Sequence, residues 1–122
     1  MAQLSIAADS AVAYNGAVPL LPKFAVISAS ASGDNTVVAA VAGKKIRVLA
    51  AVTVMTGTTV SQTWKSANGG TAISGAMTPL QGGVIPLPYN PLGWFETIAG
   101  QLLNLSLGGA QAVGGAVVYV EV

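Results

Sequence analysis

Cysteine and histidine are both absent from this 122-residue sequence. Without cysteine there is neither a disulfide framework nor a thiolate metal site, so the chain has to stand on packing alone. Without histidine it lacks the commonest general base, the usual pH switch near neutrality and the commonest metal ligand. Charge is nearly as scarce. Five Lys+Arg and four Asp+Glu make up 7% of the chain, where soluble domains carry about a quarter. The surface must therefore be covered by Ser, Thr, Asn, Gln, Gly and Ala. With so little charge to hold molecules apart, part of that surface is expected to be occupied by partner subunits. The net charge of +1 gives no electrostatic case for nucleic acid, which needs clustered Lys and Arg. Lys44, Lys45 and Arg47 form one small cluster, read either as a solvated turn or as a contact with an acidic partner.

Long apolar runs are missing as well. A spanning helix needs about twenty consecutive apolar residues. Arg47 interrupts the best window and Gly, Ser and Thr break the others, so no membrane partner is expected. No basic segment precedes an apolar run at the N-terminus, and residues 1–17 do not read as a secretory signal. A product of the cytoplasm that later assembles into something larger is the expectation. Asn104-Leu105-Ser106 matches a glycosylation sequon, but inside a strand pattern it reads as chance.

What remains is a strand pattern on a chain of one-domain size. Residues 35–55 carry two β-branched runs around a short loop with Gly43, which predicts a β-hairpin. On its second arm Ile46, Val48, Ala50, Val52 and Val54 share one wholly apolar face, because successive strand side chains point to opposite sides. Arg47, Leu49, Ala51, Thr53 and Met55 form the other, a mixed face able to meet water or a second polypeptide. Phe24 to Ala31 alternates with Val26 and Ser28 against Ile27, Ala29 and Ala31. Val60 to Ser66 alternates too, and Asn68-Gly69 predicts a hairpin turn with positive φ at both positions. Thr71 to Met77 is the return strand, weakened by Gly75.

Further on, Pro79, Pro86, Pro88 and Pro91 loosen the pattern; residues 84–87 predict an edge strand and 89–95 a long ordered loop. Trp94, Ile98 and Leu102 have helical spacing, enough for one turn before Gly100. Leu103, Leu105 and Leu107 restore the strand period. In the last strand Val118, Val120 and Val122 line one face, and a chain ending this way needs its terminus inside a sheet. Residues 1–22 differ from the rest. Pro19 and Pro22 block a central strand, and the segment reads as an extended arm, either frayed or an edge strand of its own domain, or packed on a neighbouring subunit. The fold expected is all-β, an antiparallel β-sandwich of seven or eight strands over residues 23–122, with jelly-roll order preferred.

Chemistry is sparse in this sequence. Nucleophilic catalysis requires a base beside the nucleophile, and no spacing selects a Ser-Lys pair; Lys65 and Ser66 are strand neighbours facing opposite ways. Asp9, Asp34, Glu96 and Glu121 are far apart and do not read as a glycosidase pair. Gly43-Lys44-Lys45 lacks the remainder of a phosphate loop, and Asp34-Asn35 lacks the calcium-loop spacing. No catalytic residue, cofactor or metal site is expected. The aromatics Trp64, Tyr89, Trp94, Phe95 and Tyr119 suit core or interface packing, with a sugar platform as the other use.

Four segments, SGDNTVVAAVAGKKIRVL (32–49), PYNPLGWFET (88–97), AGQLLNLSL (99–107) and GGAVVYVEV (114–122), resemble a group of small structural proteins of tailed bacteriophages. The resemblance spans residues 24–122 and rests on strand-and-turn patterns. It implies a capsid decoration or cement protein: a β-sandwich, often trimeric, bound to the major capsid protein on the virion surface. Val18, Leu20, Leu21, Phe24, Trp94 and Phe95 are the candidate capsid or subunit contacts. Such cementing would work by buried apolar area multiplied over linked contacts. The alternative is a head- or tail-fibre module binding host glycans through the Trp94–Phe95 loop.

Overall fold

The computed structural model describes residues 13–15 and 18–122, and among them there is no helix. Eleven strands follow in chain order: β1 (Ala13–Asn15), β2 (Val18–Leu20), β3 (Lys23–Ala29), β4 (Thr36–Val38), β5 (Ile46–Met55), β6 (Gln62–Ser66), β7 (Thr71–Ala72), β8 (Val84–Leu87), β9 (Phe95–Glu96), β10 (Leu103–Leu107) and β11 (Val113–Glu121). The larger sheet has the order β3-β11-β5-β8, with β9 also on β5, and the smaller has β4-β10-β6-β7. Every pairing is antiparallel. The chain crosses repeatedly between the two layers, as a sandwich requires.

The inner faces carry the β-branched and Leu positions that the period of two sets aside. Ile27 and Ala29 of β3, Ile46, Val48, Ala51 and Met55 of β5, and Val113 and Val117 of β11 meet Val38, Trp64, Leu103, Leu105 and Leu107 of the opposing sheet. Full burial of each large aliphatic side chain contributes roughly 1.5–3 kcal/mol. Trp64 is the largest of them, and its ring meets Phe95 at 5.6 Å between centroids, tilted by 35°. The C-terminal strand β11 lies between β3 and β5, so the last residues are inside the sheet as the valine pattern demands.

Several expectations need correcting. Residues 35–55 do not form a hairpin: β4 pairs with β10 and β5 with β11, in different sheets. The Gly43 loop is therefore an arch across the sandwich, because each arm finds a longer partner elsewhere. The predicted apolar face of β5 is also broken. In the pairing with β11, Val118 is opposite Ala50 and Tyr119 is opposite Val48, leaving Leu49 as an extra residue. Such a bulge inverts the side-chain phase of everything beyond it. Ile46 and Val48 face the core, but past the bulge Ala51, Thr53 and Met55 do so instead, and Ala50, Val52 and Val54 face outward.

The Asn68-Gly69 hairpin forms, Lys65 pairing with Ala72 and Ser66 with Thr71. Its left-handed residues are Ala67 (φ 68°) and Gly69 (φ 63°), so Ala67 takes the role assigned to Asn68. The return strand is as weak as Gly75 suggested, two residues followed by an isolated bridge from Met77 to Gln62. Where Trp94 to Leu102 had helical spacing, β9 and a turn are found. The expected seven or eight strands become nine in the two sheets, the surplus being two- and three-residue pieces. Of the expected arm, residues 1–12 and 16–17 lie outside the described residues, while β1 and β2 pair with each other, Ala13 opposite Leu20.

Candidate functional site

The bulge in β5 determines what the larger sheet shows to the outside. Three rows of side chains cross its outer face: Ser28, Gly114, Val54 and Val84; then Val26, Ala116, Val52 and Pro86; then Phe24, Val118 and Ala50. Only Ser28 is polar, and none is charged. Phe24 is 77% exposed and Val26 78%. The small Ala116 and Ala50 sit diagonally between larger neighbours, which leaves a shallow depression of about 230 Å³ lined by Ala50, Ala51, Val52, Ala116 and Val118. Monomeric proteins seldom leave such a face bare without using it to meet something.

At one end the face is bordered by the loop that joins β8 to β9. Asn90 N–H donates to the Leu49 carbonyl (2.9 Å), Gly93 N–H to that of Asn90 (2.9 Å) and Trp94 N–H to that of Val48 (2.8 Å). Gly93 has φ +87°, and a Cβ there would lie 2.5 Å from Cγ of Arg47, so any side chain at this position is strained and has to displace Arg47. The Trp94 indole N–H donates to the Pro88 carbonyl at 2.7 Å. Phe95 faces the core, and alternation therefore directs Trp94 to the outer side. Trp94 remains 43% exposed in a fixed orientation. Leu49 and Val120 are fully buried yet stand outside the inter-sheet cluster; β11's alternation sets Val120 on this outer side, next to the loop.

Of the six candidate contacts, the structure brings Phe24 and Trp94 to opposite edges of one face. Phe95 is on the other side of the sheet, packed on Trp64 and half-buried, where it seals the core. Leu21 is exposed and Leu20 half-buried on the approach to β3. The backbone of Val18 belongs to β2, while its side chain lies outside what the structure describes. Sequence reasoning missed Val26, Val52, Val54 and Val84. Their strands were legible, but a single extra residue at Leu49 determines which side β5 presents.

The outer face of the smaller sheet is of another kind. Thr63, Lys65, Asn104 and Ser106 occupy it. Asn104 is fully buried all the same: its Oδ1 accepts from Asn35 N–H (2.9 Å), and its Nδ2 donates to Asp34 Oδ1 (2.8 Å) and to the Ala67 carbonyl (3.2 Å). Asp34 Oδ1 also accepts from Gly69 N–H at 3.0 Å. That backbone bond first, and Asn104 second, hold the Asp34 carboxyl below its ordinary value. The sequon asparagine is thus a structural linchpin between two turns.

Charge elsewhere is locally paired. Glu96 accepts from Arg47 Nε (3.0 Å) and lies 3.5 Å from Lys45 Nζ, which partly neutralises the basic cluster of the arch. Lys23 pairs with Glu121 at 3.0 Å. Among the described residues no group of three His, Cys, Asp or Glu side chains could hold a metal ion, and no helix is long and apolar enough to cross a membrane. Comparison with protein-family models, with curated proteins and with solved structures finds no match.

Proposed function

We propose that this chain is a capsid decoration (cement) protein of a tailed bacteriophage, assembling as a homotrimer on the outer surface of an icosahedral head. The observation that carries this reading is the uncharged three-row stretch of the larger sheet's outer face, with Phe24 and Val26 bare at one edge, and the fixed indole of Trp94 and the Arg47–Glu96 pair bordering it at the other. A face of this kind stabilises a shell by removing apolar area from water, about 25 cal/mol per Å². Three such faces on one trimer make the second and third attachments effectively intramolecular. The strand orders β3-β11-β5-β8 and β4-β10-β6-β7 are in our reading those of a jelly-roll, each sheet taking strands from both halves of the chain. The resemblance of residues 24–122 to small phage structural proteins points the same way.

The test is attachment. Purified protein is expected to have the mass of a trimer by light scattering and to co-sediment with expanded capsids of its phage. A monomer that never sediments with them would overturn the proposal. One observation favours a second reading. Trp94 is exposed and held by its own N–H, as aromatic sugar platforms are, which suits a fibre module binding host glycans. Retention on a glycan array that Trp94→Ala abolishes, with the protein seen on a fibre by electron microscopy, would select that reading instead.

A further inference from the structure

We propose that Asn68 is a site of spontaneous deamidation, and that the Asp34 carboxylate holds the reaction off by keeping the proton on the Gly69 backbone nitrogen. Asn68 and Gly69 are both exposed at the tip of the β6–β7 hairpin. A Cβ built at Gly69 would meet nothing within 4 Å, so neither a side chain of its own nor a neighbouring group shields that nitrogen. Glycine also leaves the backbone free to swing toward the preceding side chain. The sequence thus sets an Asn carboxamide next to the least hindered nucleophile a backbone can offer.

The reaction consumes only water. The Gly69 nitrogen loses its proton and bonds to Asn68 Cγ, while the Cγ–Nδ2 bond breaks and the amide leaves as ammonia. The intermediate is a five-membered cyclic imide, in which the Gly69 nitrogen is bonded to both carbonyl carbons of residue 68. Water then reopens the ring. Cleavage at the side-chain carbonyl gives aspartate; cleavage at the main-chain carbonyl gives isoaspartate, with the backbone rerouted through Cγ.

In this fold the first step is opposed. The Gly69 N–H donates to Asp34 Oδ1 at 3.0 Å. An amide anion at that distance from a carboxylate is costly, because like charges so close repel, and the bond also fixes the direction in which the nitrogen points. Asp34 is itself held in place. The same Oδ1 accepts from Asn104 Nδ2 at 2.8 Å, and Nδ2 also donates to the Ala67 carbonyl at 3.2 Å. On either side the Ala67 N–H donates to the Leu102 carbonyl (3.0 Å) and the Gly70 N–H to that of Ala67 (3.2 Å). Loss of an amide proton calls for neutral or alkaline water, where Asp34, held below its ordinary value, is charged.

Once begun, the change does not reverse. The product carries a new carboxylate beside the nitrogen that Asp34 holds, and in the isoaspartate form an extra carbon enters the backbone there. Both loosen the Gly69–Asp34 contact, so the modified turn loses the bond that had delayed it. This holds whatever surface the chain attaches to.

The full-length protein tests it, kept in warm, mildly alkaline buffer and sampled over time by peptide mapping, which separates Asn68 from the chain's second Asn-Gly pair, Asn15-Gly16. Native protein should lose the Asn68 amide about tenfold or more slowly than the same chain unfolded in urea. Asp34→Asn, which keeps an acceptor and removes the charge, should speed the loss severalfold. Asp34→Ala, which removes the acceptor too, should speed it about tenfold or more. Val117→Ala opens a cavity in the core of the other sheet, and should leave the rate at Asn68 unchanged. A native rate equal to that of the unfolded chain, no acceleration in either Asp34 variant, or an equal acceleration in Val117→Ala would overturn the proposal. None of these outcomes bears on whether the protein sediments with capsids, so the two proposals fail separately.

Discussion

The two outer faces of the sandwich solve the same problem in opposite ways. On the smaller sheet Thr63, Lys65, Asn104 and Ser106 face out, and the one fully buried polar group among them, Asn104, has its hydrogen bonds satisfied by Asn35, Asp34 and Ala67. On the larger sheet the outer rows are Val, Ala, Gly, Pro and Phe with a single serine. A face that spends hydrogen bonds on its own turns is finished as a surface in water. A face with nothing polar to satisfy can be covered at almost no desolvation cost, because only unpaired polar groups are expensive to bury. The difference suits one side of the molecule to water and leaves the other cheap to cover.

The largest expected effect is at the middle of the apolar sheet. Gly115 of β11 has φ +153°, and a Cβ there would collide with the Val52 carbonyl oxygen of β5. Gly115→Ala should cost about 3 kcal/mol, read as a lowered midpoint in urea with an unchanged slope. A neutral result would mean that β11 and β5 are not held at this separation. The polar face is broken next. Asn104→Ala leaves the Asn35 N–H without its acceptor and Asp34 with the Gly69 N–H alone, and should cost about 2 kcal/mol. Ser106→Ala, half-buried on the same strand, should cost under about 0.5 kcal/mol. Equal losses at the two positions would refute the network as the feature that organises this face.

These two residues also show what was legible beforehand. The Leu103, Leu105, Leu107 alternation named both the strand and its inward face, and Asn104 fell outward as the period requires. That Asn104 would be fully buried was not readable, since its cover comes from turns 37 and 70 residues away in the chain. The apolar face failed for a more specific reason. Ile46, Val48, Ala50, Val52 and Val54 satisfy a perfect period of two, but Leu49 is inserted between two pairs of partners, and local pattern carries no mark of a bulge. Of the candidate contacts, Phe24 and Trp94 come out exposed. Phe95, named beside them, seals the core because its neighbour across the interior is Trp64. Which of two adjacent aromatics faces out is decided by where β9 joins β5, a pairing almost 50 residues distant in sequence.

A smaller effect of opposite sign is expected just behind the apolar face. Thr53 is 3% exposed on the inner side of β5, and its Oγ1 has no hydrogen-bond partner among the described residues. Replacement by the isosteric Val removes an unsatisfied hydroxyl without changing volume. Thr53→Val should therefore stabilise the protein by about 1 kcal/mol, seen as a raised melting temperature. A loss of stability would show that the hydroxyl is paired after all.

The smallest effects are electrostatic, and they fall at the two ends of the pH scale. Asp34 is held below its ordinary value of 3.8, first by the Gly69 backbone N–H and then by Asn104. Its contribution is present above about pH 4 and is lost as pH falls through the lowered folded value. Lys23 is held above its ordinary 10.5, first by the hydrogen bond to Glu121 and then by that carboxylate's charge. Its contribution is complete below about pH 10 and disappears as pH rises through the raised value. Both groups are exposed, so solvent screening keeps each effect slight. With no His or Cys in the chain, the side chains that ordinarily titrate near neutrality are absent. The melting temperature should be flat from about pH 5 to 9 and fall gently outside that window. Asp34→Asn should flatten the acid limb alone and Lys23→Met the alkaline limb alone. An acid limb that survives Asp34→Asn unchanged would show that the turn-to-turn network of the polar face does not depend on this carboxylate's charge.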